Sequence, residues 1–144
     1  MIYEEWLKEN KKVCPFCELK RSDILKQNKD FYLIPARAAY LKDHLLVVPK
    51  KHKIQISQLN KEEFESLNNL VFYAFKKLNK KYQDASILYR EGNKKKIGKS
   101  IDHLHVHIIP KMKIGSINSY YKPRKRLEDL EYKKEVERIK KELF

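Results

Sequence analysis

Glycine is nearly missing from this chain: there are three in 144 residues, beside five prolines, two cysteines and one tryptophan. So few glycines make each informative, because glycine serves left-handed backbone angles or lets a ligand come close to the main chain. Gly92 and Gly98 bracket one short loop, and that loop is expected to need such a conformation. The two cysteines, in Cys14-Pro15-Phe16-Cys17, argue for metal or redox chemistry rather than a structural disulfide. No apolar run approaches the roughly 20 residues that cross a bilayer, so no membrane partner is expected. The start, Met1-Ile2-Tyr3-Glu4-Glu5, has neither the basic residues nor the apolar stretch of a signal peptide, and a cytoplasmic location is expected.

Acidic residues are also scarce, 19 against 33 basic ones, for a formal charge of +14. That excess could serve a polyanion. However, 27 of the basic residues are lysine, spread from end to end, which reads as compositional bias rather than a nucleic-acid stripe. Lys94-Lys95-Lys96 with Lys99 is a local exception, placed where either phosphate attraction or a solvated loop would explain it. A hydrophobic content of 42% over this length supports one domain, residues 1–144, with a real core.

What the chain does have is a concentration of histidine. Three of the five fall in Ile101-Asp102-His103-Leu104-His105-Val106-His107-Ile108-Ile109-Pro110. The alternation has period 2, so a strand would put the imidazoles on one face and Leu104, Val106 and Ile108 into a core. Residues two apart on a strand lie about 6.6 to 7 Å apart, while a nitrogen ligand sits about 2 Å from zinc. Three histidines on one straight strand therefore cannot close round a single metal, and at least one imidazole is left for acid, base or nucleophilic work. A half-exposed strand that happens to carry histidine is the plainer alternative, disfavoured by the clustering.

The remaining pattern places elements around this strand. Ile2 to Asn10 reads as a short helix beside the cysteine knuckle. Asp30–Pro35, His44–Pro49 and Ala85–Glu91 read as strands, the second largely buried. Asn60-Lys61-Glu62-Glu63 has the form of a capping box, and Phe64, Leu67, Leu70, Val71, Ala74, Phe75, Leu78 and Tyr82 follow at helical spacing. Leu127, Leu130, Lys134, Val136, Ile139 and Leu143 suggest a terminal helix that packs on a partner or on the sheet edge. The C-x-x-C is ambiguous alone between a zinc half-site and a redox pair, although no buried strand precedes it as a thioredoxin-like motif would require.

His103-Leu104-His105-Val106-His107-Ile108-Ile109 resembles the signature of the histidine triad (HIT) family, specifically its zinc-bearing, dinucleoside polyphosphate hydrolase-like members. The resemblance extends through Gly92-Asn93, Gly98 and Ser100, through His44 to His52, and back to Cys14-Pro15-Phe16-Cys17. It implies an α+β fold: an antiparallel sheet of about five strands with one long helix packed on it, a family core of residues 1–115, and an extension, 116–144, bearing a C-terminal helix. It also implies a homodimer and a nucleotide substrate, cleaved at the α-phosphorus through a nucleotidyl-histidine. The roles it carries over are His105 as nucleophile, His107 and Ser100 as catalytic partners, and Asn93, Gly98, Lys99, Ser100 and His44 as substrate contacts. Cys14, Cys17, His52 and His103 would hold a structural zinc. Two positions depart from the family pattern: Ala36 stands where many members carry an Asn or Asp that grips the ribose, so that Arg37 or Tyr40 would take over part of that contact, and Lys99 stands in place of Gln. The alternatives from other classes are a nucleotide-sensing module with little turnover and a charge-driven nucleic-acid binder, whose affinity would fall steeply with salt.

Overall fold

The computed structural model describes residues 1–92, 101–111 and 124–144. Its frame is one antiparallel sheet of β1 (Lys26–Gln27), β2 (Phe31–Pro35), β3 (Leu45–Pro49), β4 (Ala85–Leu88) and β5 (Val106–Pro110), in the order β1-β2-β3-β5-β4. The expected α+β architecture is present. β3 lies at the centre and is buried at every position, which is why its sequence is a continuous apolar run instead of an alternating one. β1 was not foreseen, being two exposed polar residues with no period to read.

Helix α1 (Tyr3–Glu9) ends at Asn10, and helix α2 (Lys61–Leu78) begins at the foreseen capping box. Glu63 N–H donates to the Asn60 side chain at 2.8 Å, and Asn60 N–H donates to the Glu63 carboxylate at 3.1 Å. The α2 stripe buries Leu67, Leu70, Ala74 and Leu78 against one face of the sheet, where Phe31, Leu33, Leu45, Val47, Val106 and Ile108 meet them. Phe64 stays exposed at 44%. The opposite sheet face carries Ile34, Ala36, Leu46 and Val48, with Phe16 packed on them. Register puts His107 beside Leu46 on this second face.

Helix α3 (Asp129–Leu143) folds back on its own chain. Ile139 and Leu143 enter the core under α2, while the Tyr132 hydroxyl donates to the Pro35 carbonyl at 2.7 Å. Leu130 is 67% exposed rather than part of the stripe, because Tyr132 faces inward in its place. Arg138 binds Asp43 at 2.6 Å, and Tyr82 and Lys81 also donate to that fully buried carboxylate. Burial would raise the Asp43 carboxyl, but these donors and charges hold it below the usual range. Asp43 has φ 65, left-handed for a residue other than glycine, so this network fixes the corner immediately before His44.

The expected strand over the histidines is regular only from Val106. Upstream, the His103 carbonyl accepts from its own neighbour His105 instead of from an adjacent strand, and Leu104 N–H donates to Lys53. The Ala85 strand stops at Leu88 rather than Glu91. Gly92 has φ 121, the angle its rarity suggested.

Candidate active site

The irregular path before β5 separates the three histidines into two jobs. His103 turns to meet Cys14, Cys17 and His52, whose ligand atoms all lie within 4.8 Å of one another. The knuckle closes through Cys17 N–H donating to the Cys14 carbonyl at 3.1 Å. Sulfur-to-nitrogen separations run from 3.2 to 3.6 Å, and the two imidazole Nδ1 atoms are 3.1 Å apart. A tetrahedral ion with nitrogen at about 2.0 Å and sulfur at about 2.3 Å separates its ligands by about 3.3 to 3.8 Å, so the cluster has the dimensions of a metal site. The His103 tautomer agrees: its Nε2–H donates to the buried Pro49 carbonyl at 3.0 Å, which leaves the Nδ1 lone pair for the cluster. Partial burial and the adjacent Cys14 thiol push the Cys17 thiol up to about 11, a penalty that a divalent cation would reverse.

His105 and His107 turn instead to a cavity of about 440 Å³ on the sheet face opposite α2. His105 is 7% exposed, more enclosed than the open strand face expected of it. Its Nδ1–H donates to the His103 carbonyl at 2.7 Å, so Nε2 is the nitrogen that bears the lone pair. Phe16, between the two cysteines, packs on both His103 and His105, with ring centroids 5.7 and 5.3 Å away. The nucleophile candidate thus rests on the cysteine knuckle.

A chain of hydrogen bonds also assigns the tautomer of His107. Tyr40 N–H donates to His44 Nδ1 at 3.1 Å, so neutral His44 carries its proton on Nε2. That proton is donated to His107 Nδ1 at 2.9 Å, which leaves His107 with Nε2–H as its donor. Burial first, then the charges of Arg124 and His105, hold His44 down at about 3. Burial and the neighbouring His44 likewise hold His107 well below its ordinary value.

His44 titration has a consequence for folding. The unfolded imidazole titrates near 6.5, so between that pH and about 3 the unfolded chain binds a proton that the folded one refuses. Stability is therefore intact above about pH 6.5 and falls as pH drops, by about 1.4 kcal/mol per unit for this one group. His44→Gln should lose stability less steeply than the wild type between pH 6.5 and 4 in urea unfolding. Parallel slopes would mean that folded His44 accepts the proton.

Other site candidates are placed differently. Arg37 lines the cavity, but its Nε donates to the Leu127 carbonyl at 2.8 Å and its guanidinium pairs with Asp129. It therefore clamps the start of α3 rather than presenting a free fork to substrate. Tyr40 stacks on His44 with centroids 5.7 Å apart. Ala36 lies in the cavity wall with no polar group to offer a ribose. Asn93, Gly98, Lys99 and Ser100 lie outside the described residues. The cavity also has wall residues that sequence reasoning did not single out, notably Trp6, Arg124 and Arg126.

The chain is similar to known proteins in fold and in sequence. A histidine triad nucleotide-binding protein of Sulfolobus tokodaii, described as hypothetical, superposes with a TM-score of 0.68 at 27% identity, over 90% of this chain and 91% of that one. The adenosine 5'-monophosphoramidase of Schizosaccharomyces pombe is 29% identical over 68% of this chain and 74% of its own length. The bis(5'-adenosyl)-triphosphatase of Dictyostelium discoideum is 26% identical over 70% of this chain and 68% of its own. Residues 18–114, which hold both His44 and the whole triad, match the HIT domain, and the chain belongs to that family.

Proposed function

We propose that the protein is a nucleotide hydrolase or nucleotidyl transferase that cleaves a phosphoanhydride or phosphoramidate at the α-phosphorus through nucleotidyl-His105. The observation that carries this reading is the tautomer of His105, a cavity-lining imidazole whose Nδ1–H is taken by a backbone carbonyl. In the first step the Nε2 lone pair attacks phosphorus, a P–N bond forms, and the bond to the leaving group breaks with its electron pair; a phosphate departs as the anion, and an amine departs with a proton taken up from solvent. The ring becomes cationic, and the His103 carbonyl steadies that charge through the Nδ1–H it already accepts. His107 Nε2–H donates a hydrogen bond to the departing atom or to a phosphate oxygen, with His44 fixing its orientation. In the second step water attacks, the P–N bond returns its pair to Nε2, and the proton of water passes to solvent. With phosphate as acceptor the same displacement yields a nucleoside diphosphate.

Cys14, Cys17, His52 and His103 would hold zinc, which would fix the knuckle and the His103 backbone and take no part in bond cleavage. The relatives that act on diadenosine triphosphate and on adenosine 5'-phosphoramidate supply the two substrate classes to try. Incubation with adenosine and guanosine forms of each, with and without inorganic phosphate, should release nucleoside monophosphate or diphosphate. Tight nucleotide binding without any product would favour a sensing module instead.

A further inference from the structure

Among the cations lining the cavity, Arg126 is the most unusual. It is 8% exposed, and its guanidinium carbon lies over the Trp6 ring, 3.9 Å from the centroid. Among the described residues no carboxylate reaches it at ion-pair distance, and no hydrogen bond from the guanidinium is made. Burial and the charge of Arg37 work against its protonated form, while Glu128 and Asp129 favour it from further away. Asp129 is already held by Arg37. A buried guanidinium with five donors and no acceptor is costly, and a cation–π contact with an indole offsets only part of that cost.

Arg124 completes the picture. Its guanidinium lies between the rings of Tyr40 and Tyr3, 4.2 and 4.9 Å from their centroids, and one nitrogen donates to the Ala38 carbonyl at 3.0 Å. It lies close enough to His44 and His107 for its charge to oppose their protonation. Lys125 between the two arginines bridges to Ile2 in an extended segment, so the arginines, two residues apart, lie about 6.6 to 7 Å apart along it. Side chains two apart on an extended segment leave the same side, and both arginines line the one cavity. Both guanidinium groups sit over aromatic rings, and apart from the bond from Arg124 to Ala38 neither uses a side-chain donor among the described residues, which leaves N–H groups for the paired hydrogen bonds a phosphate accepts.

We propose that Arg124 and Arg126 form a leaving-group subsite that holds the phosphate chain of a nucleoside polyphosphate, so that the protein selects dinucleoside polyphosphates over nucleoside phosphoramidates. This rests on the hydrolase reading above and narrows it. The chemistry of the leaving group points the same way. A polyphosphate departs as a stable anion without a proton, whereas an amine needs one, and neutral His107 donates a hydrogen bond far more readily than it gives up its last proton.

The test uses the full chain and the variants Arg126→Met, Arg126→Lys and Arg124→Gln. Inorganic tripolyphosphate should raise the melting temperature of the wild type, Arg126→Met should lose most of that rise, and Arg126→Lys should keep part of it. Without ligand, Arg126→Met should melt no lower than the wild type, since a buried unpaired charge has been removed; a merely structural arginine would give the opposite. In kinetics, the ratio of kcat/KM for diadenosine triphosphate to that for adenosine 5'-phosphoramidate should fall at least about tenfold in Arg126→Met and in Arg124→Gln, a change of about 1.4 kcal/mol in relative transition-state binding. Equal tripolyphosphate stabilisation of all proteins, or an unchanged ratio, overturns the subsite. If the wild type turns over neither substrate, the hydrolase reading fails while the tripolyphosphate arm still decides the subsite. Should Arg126→Met not fold, Arg126→Lys and Arg124→Gln carry both measurements.

Discussion

His105→Ala should turn over the best substrate at least about a thousandfold more slowly than the wild type, a loss of about 4 kcal/mol of transition-state stabilisation. The size follows from what is removed. Among the described histidines no other is placed to form the proposed covalent bond: His103 turns its Nδ1 to Cys14, Cys17 and His52, and His44 gives its Nδ1 to Tyr40 N–H. His107 gives its Nδ1 to His44. His105 is the cavity-lining histidine whose Nε2 carries the lone pair, and losing an essential nucleophile would remove the whole two-step route. Because His105 is enclosed and its Nδ1–H satisfies a buried carbonyl, alanine should also cost about 1 kcal/mol of stability. His105→Asn separates the two effects by restoring a donor without restoring the nucleophile. Both variants should bind nucleotide within a few-fold of the wild type. Mass spectrometry of wild-type enzyme quenched without acid should find one nucleotidyl group, acid-labile as a phosphoramidate is, on the peptide that holds His105. A His105→Ala protein that keeps more than about a tenth of the wild-type rate would sink the covalent mechanism.

How much of this could be read from the residues differs by element. α2 was legible to its capping box because its signals are local: an N-cap, a reaching Glu63, and a stripe at helical spacing. β3 was legible because burial on both faces writes itself as an unbroken apolar run. β1 was not, since its two residues are held only by pairing with Tyr32 and Leu33. The alternation of His103, His105 and His107 implied a regular strand, and the geometric objection to three ligands on one straight strand was sound. The backbone answers it by bending, so that His103 leaves the strand for the cysteines and the other two keep the face.

The arginines show the limit of sequence distance. Arg37 lines the cavity beside Ala36, but nothing local in the sequence announces Asp129, some ninety residues on, whose carboxylate pairs with it. Arg124 and Arg126 were passed over inside a general excess of positive charge. A usable signal is present: with 27 lysines and only six arginines, the arginines are the cations whose planar fork is worth placing first. Arg37 and Arg138 use their planar forks on Asp129 and Asp43. Arg124 and Arg126 lie over aromatic rings at the cavity.

The Cys14, Cys17, His52 and His103 cluster carries the second large effect. Cys14→Ser should lose bound zinc and lower the melting temperature by roughly 10 °C. At a free metal concentration about a thousand times its dissociation constant, a ligand bound only by the folded state contributes about 4 kcal/mol, and each kcal/mol shifts a domain of this size by about 2 to 4 °C. The loss should reach the active site as well. His103 supplies both a ligand nitrogen and the carbonyl that fixes the His105 tautomer, and Phe16 of the knuckle rests on the His105 ring. Released from the metal, Cys14 to Cys17 and the bend at His103 would lose the bond that holds them together, so kcat should fall with stability. At a temperature where the variant is still fully folded, kcat should fall more than nucleotide affinity, because the perturbed group is the proposed nucleophile and the rest of the cavity wall is untouched. Metal analysis of the wild type should find about one zinc per chain, and strong chelation should reproduce the Cys14→Ser melting curve. A Cys14→Ser protein with full zinc and an unchanged melt would show that the four residues meet for another reason. A Cys14–Cys17 disulfide in freshly purified, reduced protein would identify that reason as redox chemistry.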